Sequence, residues 1–433
     1  MKIQSSLTLA SRVWFCAAAV TILILLMTTG AAAKTDTILF SLTGGADGAF
    51  PRGGVTFDAL GNLYGTSQYA NQNGTCCGAV WEISPNGGTW SETVLHTFNG
   101  GIDGATPYAG VIVDAGGNVF GTTSAGGNLH ACNGGCGVVF EISPKQGGGW
   151  TYNVIHAFSG GKDGANPWAG LTMDIAGNLY GTTAGGGAYG NGVVFRLTPK
   201  PGGVWGTVVI HAFTGGADGA NPFGTLTLDA AGNIYGTAMG GGDPACAYVS
   251  NGCGTVFELI PLPGGGWTGK LLHLFHLAYG GNPQGGVVFD PAGNLYGTIA
   301  FGGEPGGCDG WGCGGVYELS PTQQGQWTFN VLHEFTDTNV DGGFYPAGNL
   351  LLDSAGNVYG TTSSGGLCGE GLVYELSPSP KGPWPGQLVH SFLCTHDGAG
   401  PLAGMISDAQ GNMYGTTVYG GKYGFGTVFK IAP

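Results

Sequence analysis

The stretch Asp58-Ala-Leu-Gly-Asn-Leu-Tyr-Gly-Thr66 occurs, with small changes, seven times in the chain. Further copies begin at Asp114, Asp174, Asp229, Asp290, Asp353 and Asp408, so successive starts lie 56, 60, 55, 61, 63 and 55 residues apart. Each copy reads Asp-x-x-Gly-Asn, an apolar residue, Tyr or Phe, then Gly-Thr. A fixed period of this size marks a repeat architecture, in which each unit buries its apolar face against its neighbours. The third copy shows how one unit folds. Ala169 to Asp174 alternates and stops at a turn, where Asp accepts backbone N–H groups and Gly takes positive φ. Asn178 to Thr183 reads as a second strand and Gly192 to Leu197 as a third. Trp205 to Phe213 is the fourth, after a break at Thr198-Pro-Lys-Pro-Gly-Gly203. Four antiparallel strands in about 55 residues describe a propeller blade.

The two ends of the chain supply closure. After the seventh phrase one strand remains, Gly426 to Ile431. Near the N-terminus, Thr37 to Leu42 with Gly44-Gly45-Ala46-Asp47-Gly48 matches Thr93 to Phe98 with Gly100-Gly101-Ile102-Asp103-Gly104, and so carries the missing fourth strand. The expected fold is all-β: a seven-bladed β-propeller of four-stranded antiparallel blades, closed by an N-terminal strand that completes the last blade. Donating that strand removes an exposed sheet edge, and this favours a ring over an open solenoid. Expected boundaries are 1–33 for a signal peptide and 34–433 for the propeller. The blades fall at about 51–100, 107–160, 167–215, 222–277, 283–337, 346–393 and 401–433 plus 37–42.

Composition agrees. Of 433 residues 91 are Gly and only 9% are charged, but 42% are hydrophobic, too many for a disordered chain. Lys2 and Arg12 precede an apolar run from Val13 to Met27 and the small residues Ala31-Ala32-Ala33, the pattern of a secretory signal peptide cut near Ala33. The run of about 15 residues is short for a bilayer span of roughly 20. A secreted or extracellular location is expected, with the periplasm as the alternative, and no membrane span in the mature chain. Losing Lys2 and Arg12 takes the formal charge from −14 to −16. With no cluster of Lys or Arg, nucleic acid is excluded as a partner. A monomer is expected.

Positions that repeat are read as structure. His96, His156, His211, His273, His333 and His390 hold one place in the fourth strand of six blades, and Phe40 holds it in the seventh. Equivalent places around a ring lie too far apart to share one ion, so a packing or hydrogen-bonding role is expected. Trp90, Trp150, Trp205, Trp267, Trp327 and Trp384 open the same strand and read as inter-blade packing.

Function on such a scaffold sits where the repeats differ. From the Gly of Tyr/Phe-Gly-Thr to the aromatic of strand three, blades 3, 6 and 7 take 14 residues, whereas blades 1, 2, 4 and 5 take 16, 19, 21 and 20. The four longer loops hold Cys76 and Cys77, Cys132 and Cys136, Cys246 and Cys253, and Cys308 and Cys313. Cys368 and Cys394 both fall in blade 6. Ten cysteines in an exported chain read as five disulfides paired in that way, each short loop contributing roughly 2 kcal/mol. Cys76 and Cys77 are the strained case, with a free thiol pair as the alternative.

Blade connections carry acids, among them Asp47, Asp103, Asp163 and Asp218, with Asp341 and Asp397 in variant forms. Asp-Gly is a turn pair. The sharper alternative is an acidic ring at the channel mouth that holds calcium or a cationic ligand. Calcium needs six to eight oxygens, more than one Asp per blade supplies. No cofactor and no metal are therefore assigned. The residue after the Pro that enters each blade is Arg52, Tyr108, Trp168, Phe223, Gln284, Ala347 and Leu402 in turn. Tyr108, Trp168 and Phe223 form an aromatic arc beside Asp103, Asp163 and Asp218, and these six are the candidate ligand-binding residues. Catalytic motifs such as Gly-x-Ser-x-Gly and His-Glu-x-x-His are missing. His130, His276 and His396 stand outside the repeated row, each in a loop.

The phrase, with Gly-x-Val-Phe-Glu-Leu-Ser-Pro and Val-Leu-His-x-Phe-x-Gly-Gly-x-Asp-Gly, resembles the GloVer repeat of the bacterial "choice-of-anchor" tandem-repeat proteins over Thr37 to Pro433. The resemblance implies an exported bacterial protein and carries no activity or catalytic residues with it. Family members often end in a C-terminal sorting signal. This chain ends at Pro433 after the last blade, so release rather than surface anchoring is expected. The turn is also similar to that of NHL-type propellers, which bind proteins or RNA. The expected function is a binding scaffold for an extracellular glycan or protein, acting through the face that bears the strand 2–3 loops. The alternatives are a propeller enzyme of the lyase, lactonase or glycosidase kind, and a passive extracellular component.

Overall fold

The computed structural model describes residues 36–69, 77–246, 252–276, 280–303, 307–336, 342–393 and 397–432. The signal-peptide region lies outside them.

Each repeated phrase folds into the inner hairpin of a blade. Asp58 accepts from the backbone N–H groups of Leu60 and Asn62 through Oδ1, and from Asn62 Nδ2 and the Tyr64 hydroxyl through Oδ2. The same four bonds recur around Asp229, Asp290, Asp353 and Asp408. At Asp174, burial opposes ionisation, but bonds from Asn178, Tyr180 and Ala176 outweigh it and hold the carboxyl below its usual range. The Gly after the Tyr has a steric cause. A Cβ on Gly65 would lie 2.2 Å from the Trp81 ring, and one on Gly181 2.6 Å from the Phe195 ring. Strand two must be bare there for the large aromatic of strand three to lie across it.

Seven antiparallel sheets result. In blade 1 the order from the axis outward is Thr56–Phe57, Leu63–Ser67, Ala79–Asn86 and Thr89–Thr97. The last blade runs Ile406–Ser407, Met413–Thr417, Thr427–Ile431 and then Asp36–Ser41, so the N-terminal strand does complete it. Blades 4 and 6 gain a short entry strand, Ala220–Pro222 and Gly343–Pro346.

Strand lengths differ from expectation in two ways. The innermost strands pair over two residues only, as at Thr172–Met173, because the entering chain bends away to line the axis. Strands three and four are longer. Thr198, Pro199 and Lys200 stay in the ladder, Pro199 opposite Trp205. The proline is tolerated near the tip of an outer hairpin, where one lost N–H matters least.

The apolar core is a ring of seven clusters, each shared by two adjacent blades. Leu63, Trp81 and Ile83 of blade 1, for example, pack with Tyr414 and Val428 of blade 7. Trp205 of blade 3 meets Phe120 of blade 2 edge-on at 5.9 Å, and Trp327 of blade 5 meets Tyr235 of blade 4 at 6.4 Å. The fourth-strand tryptophans are thus inter-blade packing. Each fully buried aromatic or aliphatic side chain contributes roughly 1.5–3 kcal/mol. A polar ring runs inside the apolar one. Thr66, Thr122, Thr237 and Thr361 each donate to a carbonyl of the next blade, and Thr416 donates to Gly53 O at 2.9 Å across the closing seam.

Candidate functional site

Every blade is entered through a residue with left-handed backbone that precedes a proline. These are Phe50, Thr106, Asn166, Asn221, Asn282, Tyr345 and Gly400, with φ between 52° and 62°. A residue before proline is normally extended, and positive φ is costly for Phe, Thr and Tyr. The strain is held by a fixed bond. Each entry residue donates its N–H to a carbonyl of the preceding blade's strand 2–3 loop. In four seams that carbonyl belongs to the second cysteine of a pair: Thr106 to Cys77, Asn166 to Cys136, Asn282 to Cys253 and Tyr345 to Cys313, at 2.6–3.1 Å.

The disulfides Cys132–Cys136, Cys246–Cys253 and Cys308–Cys313 form as expected. Cys77 is also disulfide-bonded, while its expected partner Cys76 lies outside the described residues, as do Cys394 and therefore the expected Cys368–Cys394 bond. The staples fix the loop carbonyls, and the carbonyls fix the chain two residues before the channel-lining position.

All seven of those positions line one cavity of about 250 Å³ at the channel mouth: Arg52, Tyr108, Trp168, Phe223, Gln284, Ala347 and Leu402. The three aromatics form a cluster rather than an open arc. Trp168 meets Phe223 at 5.3 Å and Tyr108 meets Phe223 at 5.5 Å, both edge-on, with Tyr108 and Trp168 at 6.3 Å. Arg52 lies 5.2 Å over the Tyr108 ring, donates to the Tyr108 hydroxyl at 3.2 Å, and donates through Nε to Gln68 Oε1 at 2.6 Å. The described residues that line the cavity include no carboxylate.

Asp103, Asp163 and Asp218 are placed elsewhere, at the ends of the outer strands. Each accepts from the repeated histidine of its own connection: His96 at 3.2 Å, His156 at 3.2 Å and His211 at 3.1 Å. Each also caps a backbone N–H, those of Asn99, Ser159 and Thr214. The structure thus brings the three aromatics together and leaves the three acids in turns. The histidines pack between blades. His96 stacks on Tyr152 at 3.8 Å and His273 on Phe329 at 3.9 Å, and His156 Nδ1 accepts from the Thr207 hydroxyl at 3.1 Å. Burial lowers His96 and His156 below the usual imidazole range against the opposing pull of Asp103 and Asp163. His273, with no acid on its connection, falls to about 4, burial being the main cause and His276 the second.

A second cleft of about 480 Å³ adjoins the cavity and shares Gln284, Ala347 and Leu402 with it. Its walls are Phe301, Trp311 and Tyr345, with Ser363. Phe301 meets Tyr345 at 5.5 Å and Trp311 at 6.3 Å, and Trp311 is 44% exposed. Sequence reasoning missed these residues. The available signal was Trp311 itself, a tryptophan outside the repeated row and between the paired Cys308 and Cys313.

The Gloeobacter/Verrucomicrobia repeat matches residues 25–249 and 245–433. No curated protein matches the chain. The profile match spans all seven blades, and the chain belongs to the Gloeobacter/Verrucomicrobia repeat family.

Proposed function

We propose that this propeller is an exported binding scaffold that takes a glycan at the channel mouth. The observation that carries the reading is the convergence of the seven blade-entry residues on one cavity, where the preceding position is Pro in every blade and the following one Gly or Ala, whereas these differ in every blade. A cavity of about 250 Å³ is smaller than the roughly 300–1,000 Å³ of drug-sized sites, and suits the end of a chain, one sugar ring. Trp168 and its neighbours offer apolar ring faces and edges, and Arg52 and Gln284 offer hydrogen-bond donors at the rim. The adjoining cleft at Trp311 would hold the following residues of the same chain. Export is supported by the three disulfides. Among the described residues no helix is long and apolar enough to cross a membrane.

Glycan-array binding with the oxidised protein tests this. Trp168→Ala should weaken a saccharide hit at least tenfold, and Trp311→Ala should weaken long saccharides more than short ones. A blank array, or a hit indifferent to Trp168→Ala, overturns the reading.

A further inference from the structure

We propose that Asp36, His390 and Asp397 form a divalent-cation site, zinc by its ligand chemistry, which ties the N-terminal strand to blade 6. The argument comes from comparing the same place at successive seams. The repeated histidine of each blade faces the next blade's fourth strand, four residues before that strand's own histidine place. That position is Tyr152, Thr207, Gly269 or Phe329 at the seams leaving blades 1 to 4. These residues stack on the imidazole, bond to it or make room for it, and none is charged. At the seam from blade 6 to blade 7 the position is Asp36. The ligand atoms of Asp36, His390 and Asp397 all lie within 4.8 Å of one another.

Two further observations point to a ligand. His390 Nε2 lies 3.4 Å from Asp397 Oδ2, whereas the matching pairs at His96, His156 and His211 are at 3.1–3.2 Å and are hydrogen-bonded. His390 Nε2 is buried and makes no hydrogen bond. The longer spacing is the edge of a tetrahedron around zinc, about 3.4 Å for metal–ligand bonds of about 2.1 Å. Charge agrees. The two carboxylates bring −2 to the cluster, which a divalent cation cancels. Asp36 is exposed, so its carboxylate can close on the ion without disturbing the core. A nitrogen and two carboxylate oxygens suit zinc better than calcium or magnesium, which take oxygen ligands and more of them.

The site reaches across three segments: the N-terminal strand, the fourth strand of blade 6, and the connection into blade 7. A bound ion would therefore resist peeling of the strand that closes the ring. Calorimetric titration with zinc, on protein first dialysed against chelator, should give one site per chain. Thermal denaturation should shift upward as zinc rises. Asp36→Asn should weaken binding at least tenfold and abolish most of the thermal shift, as even outer partners of a metal site cost about 10–100-fold. His390→Gln should do the same. Asp36 is exposed and its backbone pairing with Ile431 is independent of its side chain, so Asp36→Asn remains informative if His390→Gln fails to fold. Absence of saturable binding, or zinc binding unchanged in Asp36→Asn, overturns the proposal.

Discussion

At the seam between blades 4 and 5 the repeated histidine stands without the repeated acid, while at the seam between blades 7 and 1 the repeated acid stands without the histidine. At the first, His273 stacks on Phe329 at 3.9 Å, and its connection lacks the usual Asp. At the second, Phe40 takes the histidine place, Asp47 is retained, and Glu92 holds the facing position. Asp47 is only 2% exposed and is satisfied by Thr43 and Gly45. Glu92 has a buried Oε1 without a partner. Burial, with the charge of Asp47 second, raises its carboxyl from 4.5 to about 7. The complete pairs of blades 1 to 3 show what each seam lacks. Where the acid is missing, His273 stays neutral, and where the imidazole is missing, Thr43 and Gly45 take its place on Asp47 while the facing Glu92 keeps its proton.

The two incomplete seams therefore respond to pH in opposite directions. Folded Glu92 keeps a proton that the unfolded chain gives up, so its contribution is full below about pH 4.5 and is lost as pH rises through about 7. Folded His273 refuses a proton that the unfolded chain takes, so its contribution is full above about pH 6.5 and is lost as pH falls through about 4.

The comparison rests on a scaffold common to both places, and the largest effect should come from breaking that. Gly236→Ala in blade 4 and Gly415→Ala in blade 7 would each put a Cβ 2.6 Å from the ring of Phe257 or Phe429. Each should cost roughly 3 kcal/mol, measured by denaturant unfolding, and by similar amounts. A large inequality would mean that the blades are not equivalent beneath their seams. Glu92→Gln comes next. It should stabilise the protein by on the order of 2 kcal/mol at pH 8 and by nothing below pH 4.5. An equal effect at both pH values would show that the carboxyl is not held neutral. The smallest effect is His273→Gln. The fall in stability between pH 7 and pH 4 should shrink by on the order of 1 kcal/mol. An unchanged pH slope would remove His273 from the account.

The fold was legible because a nine-residue phrase encodes its own hairpin. Asp58 and Asn62 bond within the turn, and Gly65 clears space for Trp81, so each copy announces the same local structure. The site was legible only in part. Tyr108, Trp168 and Phe223 share a place in the repeat, and the propeller places equivalent positions around one axis, so their convergence could be read. Whether Asp103, Asp163 and Asp218 faced the channel or the turn depended on the direction of one side chain, which spacing does not give. The cleft at Trp311 joins Phe301, Trp311 and Tyr345, which hold different places in their repeats, so no periodicity links them. The His390 site was hidden for the same reason. Its third ligand, Asp36, comes from the other end of the chain.

The strand Asp36–Ser41 pairs with Thr427–Ile431, nearly the whole chain apart. Loop-closure entropy for so long a chain is of the order of (3/2)RT ln n, about 5 kcal/mol, and falls on one event. During synthesis the early blades can stack one by one through local contacts, but the ring remains an open arc until the final strand is available. Folding to completion thus waits for Thr427–Ile431, and a chain cut short before Thr427 would leave Asp36–Ser41 without its partner and blade 1 with a bare flank.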